Sequence, residues 1–219
     1  EAWDELVNMA NAGLQSNENY QKIQGNKIDG SPDYTNEPLV DAVNLADYML
    51  INFYGGNTDW DHHNWAAVRN REKADQGFQF LCWDAEHMVK TLNTDVLSEN
   101  NQNRPSGIFT QLMQNNEFKR LFANRVQKHC YNNGLLTPEV NQARWNVRKQ
   151  QIEEAIDCEA VRWGDYRRDV HPYQTSGPFE LYTKETHWLP QQDFMANEYF
   201  PDRTDVFISQ LRSKGFFPV

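Results

Sequence analysis

The stretch Asn57-Thr58-Asp59-Trp60-Asp61-His62-His63-Asn64, followed twenty residues later by Asp84-Ala85-Glu86, decides how this chain is read. Between the two lie short apolar-rich runs, residues 65–70 and 78–83, separated by a polar turn that ends in Gly77. That pattern predicts a β-hairpin. With Asn70 facing Phe78, Asn64 falls opposite Asp84, and directly opposed residues have Cα atoms about 4.5–5.5 Å apart with side chains on one face. The hairpin is therefore expected to gather an amide and several carboxylates from two segments. Such a donor set suits Mg²⁺, a hard cation that takes oxygen ligands and shares them with phosphate.

Outward from this stretch the chain reads as mainly helical. Trp3, Leu6, Val7, Ala10 and Leu14 recur at helical spacing and predict a first helix ending near residues 17–19. Residues 20–38, rich in Gly, Asn, Asp, Ser and Pro, read as a long irregular connection that packs as an ordered loop. A second helix is expected over 39–53, with Val43, Ala46, Leu50 and Phe53 on one stripe, Asp41 in its first turn and Gly55-Gly56 as its stop. Further helices are expected over 107–114, 117–131, 137–163, 188–200 and 202–214, with Thr137 as N-cap and Pro138 at the first helical position of the longest. Residues 165–186, with Pro172 and Gly177-Pro178, read as loop. The fold class is α+β, mainly helical, in a single domain over 1–219.

Composition narrows the partners. The chain of 219 residues carries 21 Lys+Arg against 31 Asp+Glu, a formal charge of −10, which argues against nucleic acid or an anionic membrane as the main partner. Seven Trp, nine Tyr and twelve Phe supply a core from few, large side chains and argue against disorder. Cys82, Cys130 and Cys158 are widely spaced and odd in number, which fits neither a disulfide framework nor a cysteine zinc site. No apolar run approaches the roughly 20 residues of a membrane helix, so no membrane insertion is expected. The opening Glu1-Ala2-Trp3-Asp4 has neither an initiator Met nor a leader pattern, and the expectation is a piece of a longer precursor.

The spacing Asp59-x4-Asn64, a hairpin, then Asp84 is the layout of a protein-kinase-like catalytic loop. In that layout an Asp orients or deprotonates the hydroxyl nucleophile, an Asn five positions on binds metal, and a later Asp bridges Mg²⁺ to nucleotide phosphates. The usual neighbours differ, since Asn57-Thr58 precede Asp59 and Ala85-Glu86 follow Asp84.

At these residues the chain resembles the carboxy-terminal part of the spore-coat CotH kinase family. The likeness runs through Tyr20-Gln21-Lys22-Ile23-Gln24-Gly25-Asn26, Asp29-Gly30, Leu45-Ala46-Asp47-Tyr48-Met49-Leu50, Phe53-Tyr54-Gly55-Gly56-Asn57-Thr58-Asp59-Trp60 and Trp83-Asp84-Ala85-Glu86. It is most specific over residues 20–90 and continues more loosely through Asn115 to Arg125, Glu159 to Asp165, and Tyr199-Phe200-Pro201-Asp202-Arg203 to Gly215. The resemblance implies a kinase-like large lobe with a small hairpin beside the catalytic loop, and Mg-ATP-dependent phosphorylation of Ser/Thr hydroxyls on a protein substrate. It also implies secretion or a place on a bacterial cell surface. Carried over, Asp59 matches the catalytic-loop Asp, Asn64 and Asp84 match the metal ligands, and Glu86 stands where many members have a second Asp. Many relatives have Pro after the Trp, where this chain has Asp61-His62-His63. The family places its glycine-rich ATP cover upstream, so these residues are expected to need an amino-terminal lobe of the same precursor and to be inactive alone.

Simpler readings stand beside these. Asp59 and Asn64 are residue types that commonly close turns through their own side chains. His62 and His63, with His87 nearby, invite a zinc reading, but adjacent histidines on an exposed loop ordinarily point apart, so they are expected at a solvated, pH-sensitive rim. Trp60 is assigned with them to a nucleotide or substrate rim, whereas Trp65 and Trp83 read as packing residues of the hairpin. The alternative functions are a non-catalytic surface-binding or scaffold module that keeps the fold and, less favoured, a metal-dependent hydrolase.

Overall fold

The computed structural model describes residues 1–72, 75–169 and 180–218. Helix α1 (Ala2–Ala12) buries Leu6, Val7 and Ala10, and the expected amphipathic spacing is the reason. A short helix, α2 (Asn17–Ile23), follows at once, its first turn closed by the Ser16 hydroxyl accepting from the Asn19 N–H at 3.1 Å. This corrects the reading of residue 20 onward as irregular: a Ser N-cap lets a seven-residue helix form where bulk composition suggested loop. Residues 24–41 do lack helix, and Asp29 and Asp33 close turns by accepting from the N–H and hydroxyl of Ser31 and Thr35.

Helix α3 (Ala42–Gly55) is the central element, packed against helix α4 (Pro105–Leu112), helix α5 (Asn116–Cys130) and strand β2 (Gln79–Cys82). Asp41 caps it by accepting from the Asn44 N–H. Because neighbours surround it, α3 buries far more than one stripe: Leu45, Ala46, Met49, Leu50 and Phe53 are all in the core, and Val43 of the expected stripe is exposed. Phe53, Phe109, Phe118 and Phe122 form a chain of edge-to-face contacts across α3, α4 and α5.

Strand β1 (Trp65–Val68) pairs antiparallel with β2, so the expected hairpin is present. Its register is not the expected one. Trp65 pairs with Cys82 and Val68 with Gln79, one residue away from the register that would set Asn64 opposite Asp84. The cause is non-local: Phe78 forms a parallel bridge with Val40 rather than facing Asn70. Gly77 permits that approach, since a Cβ there would lie 2.3 Å from the Val40 carbonyl carbon.

Helix α6 (Pro138–Trp163) begins at Pro138 as expected, although the Thr137 hydroxyl donates to the Gly134 carbonyl instead of capping the helix. One turn, α7 (Tyr166–Asp169), follows. Residues 170–179, including Pro172 and Gly177-Pro178, lie outside the described residues. Beyond them the π-helical turn Lys184–Trp188, helix α8 (Leu189–Phe194), the π-helical turn Met195–Tyr199 and helix α9 (Phe200–Ser213) run on without a break. Each π turn leads into a proline, Pro190 or Pro201, which has no N–H to give. Widening the turn lets Leu189 and Phe200 donate to the carbonyls of Lys184 and Met195, so the helix continues where a break at Pro201 was expected. Helix α9 packs on α3 and α6.

Candidate active site

The candidate loop hangs from the end of α3. Gly56, at φ +58°, turns the chain in the left-handed region, where a side chain would also press on Thr94 at 2.8 Å. The Asn57 N–H then donates to the Asn52 carbonyl, and the Asn57 amide donates to Asn52 Oδ1 at 3.0 Å in a buried pair. Asn57 Oδ1 in turn accepts the Asp59 N–H at 3.1 Å. Trp60 follows and is 2% exposed, packed against Tyr48 and Phe53. Trp60 is therefore no part of a rim; its ring is the plug that fixes the loop to the core.

Asp61 is the residue whose role sequence reasoning missed. It is 2% exposed, and its carboxylate accepts the N–H of Ser106 at 2.9 Å, the Ser106 hydroxyl at 2.5 Å and the Asn101 amide at 2.7 Å. Ser106 lies in the first turn of α4, whose N-cap, Arg104, supplies no side-chain bond. A carboxylate from 45 residues upstream thus caps this helix, where the dipole favours negative charge. Arg203 was missed likewise. Fully buried in α9, it donates to the carbonyls of Phe53 at 2.9 Å, Tyr54 at 2.7 Å and Leu92 at 2.7 Å. A cation is thereby placed on the negative end of α3, against the turn that launches the loop. The signal was available: Arg203, Phe207 and Leu211 share one helical face with the core.

Asn64 closes the loop. It is buried, and its amide donates to the Asp59 carbonyl at 2.9 Å and to Asp59 Oδ2 at 3.1 Å. Asp59 Oδ1 faces His62 Nε2 at 3.1 Å and His63 Nε2 at 3.5 Å. Both histidines are 58% exposed, as a solvated rim requires, yet both turn inward onto one oxygen instead of pointing apart. From the other segment, Asp84 sits at φ +47°, a left-handed conformation that Asp tolerates better than most residues. This turn, not the ladder register, brings Asp84 and Glu86 to the loop. The Asp84 carboxyl is held above its ordinary range by Glu86 first and by the charge of Asp59, with His63 pulling the other way. A Glu86 oxygen, a His87 nitrogen and an Asp59 oxygen all lie within 4.8 Å of one another. Trp83, expected to pack, is 67% exposed beside this cluster.

The donor set fits a hard dication. Several carboxylates crowd an exposed spot with enough mutual repulsion to disfavour ionisation of Asp84, which is the condition a bound dication relieves. A cavity of about 760 Å³ lined by Trp3, Arg69 and Phe78 lies at the turn end of the hairpin and contains none of the predicted site residues.

Comparison with protein-family models matches residues 11–197 to the CotH kinase protein model. The chain belongs to the CotH kinase family. The match spans the loop after α3, the hairpin and the Asp84-Ala85-Glu86 segment, so Asp61 and the paired histidines fall inside the matched region of this CotH chain. Membership carries with it a kinase-related function. No curated protein and no solved structure matches the chain. Among the described residues no helix is long and apolar enough to cross a membrane.

Proposed function

We propose that this chain is the large-lobe portion of a CotH-type kinase that transfers phosphate from Mg-ATP to Ser/Thr hydroxyls of a protein substrate. The observation that carries the reading is the convergence of Asp59, Asn64, Asp84 and Glu86 from two chain segments around one carboxylate. Asp59 accepts or orients the proton of the attacking hydroxyl, held for that purpose by the Asn64 amide. Asn64 Oδ1, Asp84 and Glu86 would hold magnesium, which when bound neutralises charge on the phosphate oxygens. His62 and His63 form the exposed rim on the substrate side.

The nucleotide-covering lobe is supplied from upstream in this reading, and these residues alone hold nucleotide weakly and transfer nothing. Secretion or a cell-surface location belongs to the same proposal. The scaffold alternative rests on the loop residues Asp61-His62-His63 and on Glu86 in place of Asp; of these, Asp61 serves as a buried helix cap.

The test is calorimetric titration of Mg-ATP into an upstream-extended form of the protein beside this 219-residue chain, followed by phosphorylation assays of the extended form and its Asp84→Ala variant. Binding by the extended form alone, with activity lost in the variant, is the expected result. An ATP-dependent activity that survives Asp84→Ala would overturn the metal assignment, and absence of binding by both folded proteins would favour the scaffold.

A further inference from the structure

We propose that Asp59, His62 and His63 form a binding site for a zinc-class transition-metal ion, separate from the magnesium ligands and sharing with the proposed reaction only the Asp59 carboxylate. The orientation of the two rings points to the site. Neighbouring residues on a loop seldom aim at the same point, but here the two imidazoles stand nearly perpendicular, at 81°, with ring centres 4.1 Å apart. That arrangement lets both Nε2 atoms face Asp59 Oδ1, at 3.1 and 3.5 Å, and all three ligand atoms lie within 4.8 Å of one another.

Those distances have a metal-centred meaning. Zinc takes His nitrogen and carboxylate oxygen at about 2.0–2.2 Å, and the edge of a tetrahedron with such bonds is roughly 3.3–3.5 Å. The two nitrogen-to-oxygen separations fall about this edge and the nitrogen-to-nitrogen separation is within 4.8 Å, so an ion can be seated between the three groups by side-chain adjustment. The second oxygen of Asp59 is fixed by the Asn64 amide at 3.1 Å, the kind of outer contact that orients a ligating carboxylate. Three protein ligands and two half-exposed histidines leave a fourth position open to water. Imidazole nitrogen selects zinc, copper or nickel over magnesium, which prefers an all-oxygen set.

His87 also approaches Asp59, with Glu86, but it is differently committed. The Lys90 ammonium faces His87 Nδ1 at 2.9 Å, so that nitrogen accepts and the proton sits on Nε2, which faces Glu86 at 3.3 Å. His87 Nδ1 is thus held by Lys90, a tie that neither His62 nor His63 shows, and the carboxylate partner of the ring is Glu86 and not Asp59.

The consequence for function rests on the reading of Asp59 as the group that handles the substrate hydroxyl: an ion held here occupies the same carboxylate, and zinc inhibits phosphoryl transfer without displacing magnesium. Binding itself is independent of that reading. The experiment is titration of Zn²⁺ into the 219-residue chain by calorimetry with Mg²⁺ in large excess, with Co²⁺ as an optical probe. The exposed thiols are removed by Cys82→Ser and Cys158→Ser. One ion per chain is expected, weakened about tenfold or more by His62→Ala and by His63→Ala, and altered less than about twofold by His87→Ala or Asp84→Asn. Both histidines are exposed, so their variants should melt with the parent, which circular dichroism verifies. Failure to bind zinc, binding that survives both histidine substitutions, or binding lost with Asp84→Asn while the histidines remain would each overturn the site. A null result for ATP-dependent activity in the extended protein would touch the kinase reading and leave these outcomes as they are.

Discussion

Asp61 and Ser106, 45 residues apart in the chain, are joined twice, the buried carboxylate accepting both the N–H and the hydroxyl of the serine. This tie holds the candidate loop down onto the first turn of α4. Asp61→Ala strands the buried N–H and hydroxyl of Ser106, while the exposed Asn101 amide keeps Glu99 as an acceptor, and should cost about 2–4 kcal/mol by urea denaturation. Asp61→Asn keeps an acceptor for the Ser106 N–H and should cost less than half as much. Equal losses for the two variants would show that charge rather than shape is what matters.

Arg203 should be among the most sensitive positions. It donates to three backbone carbonyls and forms no ion pair among the described residues, and burial pulls its guanidinium below the usual arginine range against the opposing charge of Asp95. Arg203→Met leaves those carbonyls unpaired and is expected to cost about 3–5 kcal/mol, and Arg203→Lys, unable to reach all three at once, about 2–3 kcal/mol. Chemical denaturation of both variants tests the order.

The two tryptophans flanking the loop should behave oppositely. Trp60→Ala opens a large cavity beside Tyr48 and Phe53 and should lose about 3–5 kcal/mol. Trp83→Ala removes an exposed ring and should fall within about 0.5 kcal/mol of the parent. A stability loss at Trp83 comparable to that at Trp60 would contradict the placement of both.

Stability should also depend on pH through His129. This residue lies 3.1 Å from Asp47 and 3.0 Å from Arg125, and its pKa is lowered from 6.5, chiefly by burial, with Asp47 opposing and Arg125 adding to the shift. A histidine whose folded pKa is depressed binds fewer protons folded than unfolded, so its contribution is present above 6.5 and is lost as pH falls through the folded value. Melting temperature measured from pH 7.5 down to 5 should decline more steeply in the parent than in His129→Gln. Parallel curves would exclude the residue as the source.

In an upstream-extended, active form, Asp59→Asn should reduce turnover by about 10²–10⁴ and leave Mg-ATP affinity nearly unchanged, since it removes a proton acceptor and no phosphate contact. Asp84→Ala should instead abolish Mg-dependent nucleotide binding. A common loss of affinity in both variants would argue against the division of roles.

What the sequence disclosed followed the range of the physics involved. The long helices were legible because their signals are local: apolar spacing in α1 and α5, Pro138 at the start of α6. The hairpin was legible for the same reason, but its register was not, because Val40, nearly forty residues upstream, claims Phe78. α2 escaped because its cap, Ser16, is one residue in a polar stretch. At the site, residue types and spacing pointed to Asp59, Asn64, Asp84 and Glu86. The exchange of roles between Trp60 and Trp83, the capping use of Asp61 and the inward turn of His62 and His63 all depend on neighbours that spacing does not name.

The seating of Arg203 on the last turn of α3 also bears on how the molecule is made. The loop that carries Asp59 is synthesised before α9, and the cation that steadies the helix end beneath it arrives nearly 150 residues after that helix end. A chain arrested before α9 has every residue of the carboxylate cluster and none of the clamp below it. Until α9 docks, the Phe53 and Tyr54 carbonyls beneath the loop lack the guanidinium that satisfies them, so the support of the site is shared between two distant parts of the chain.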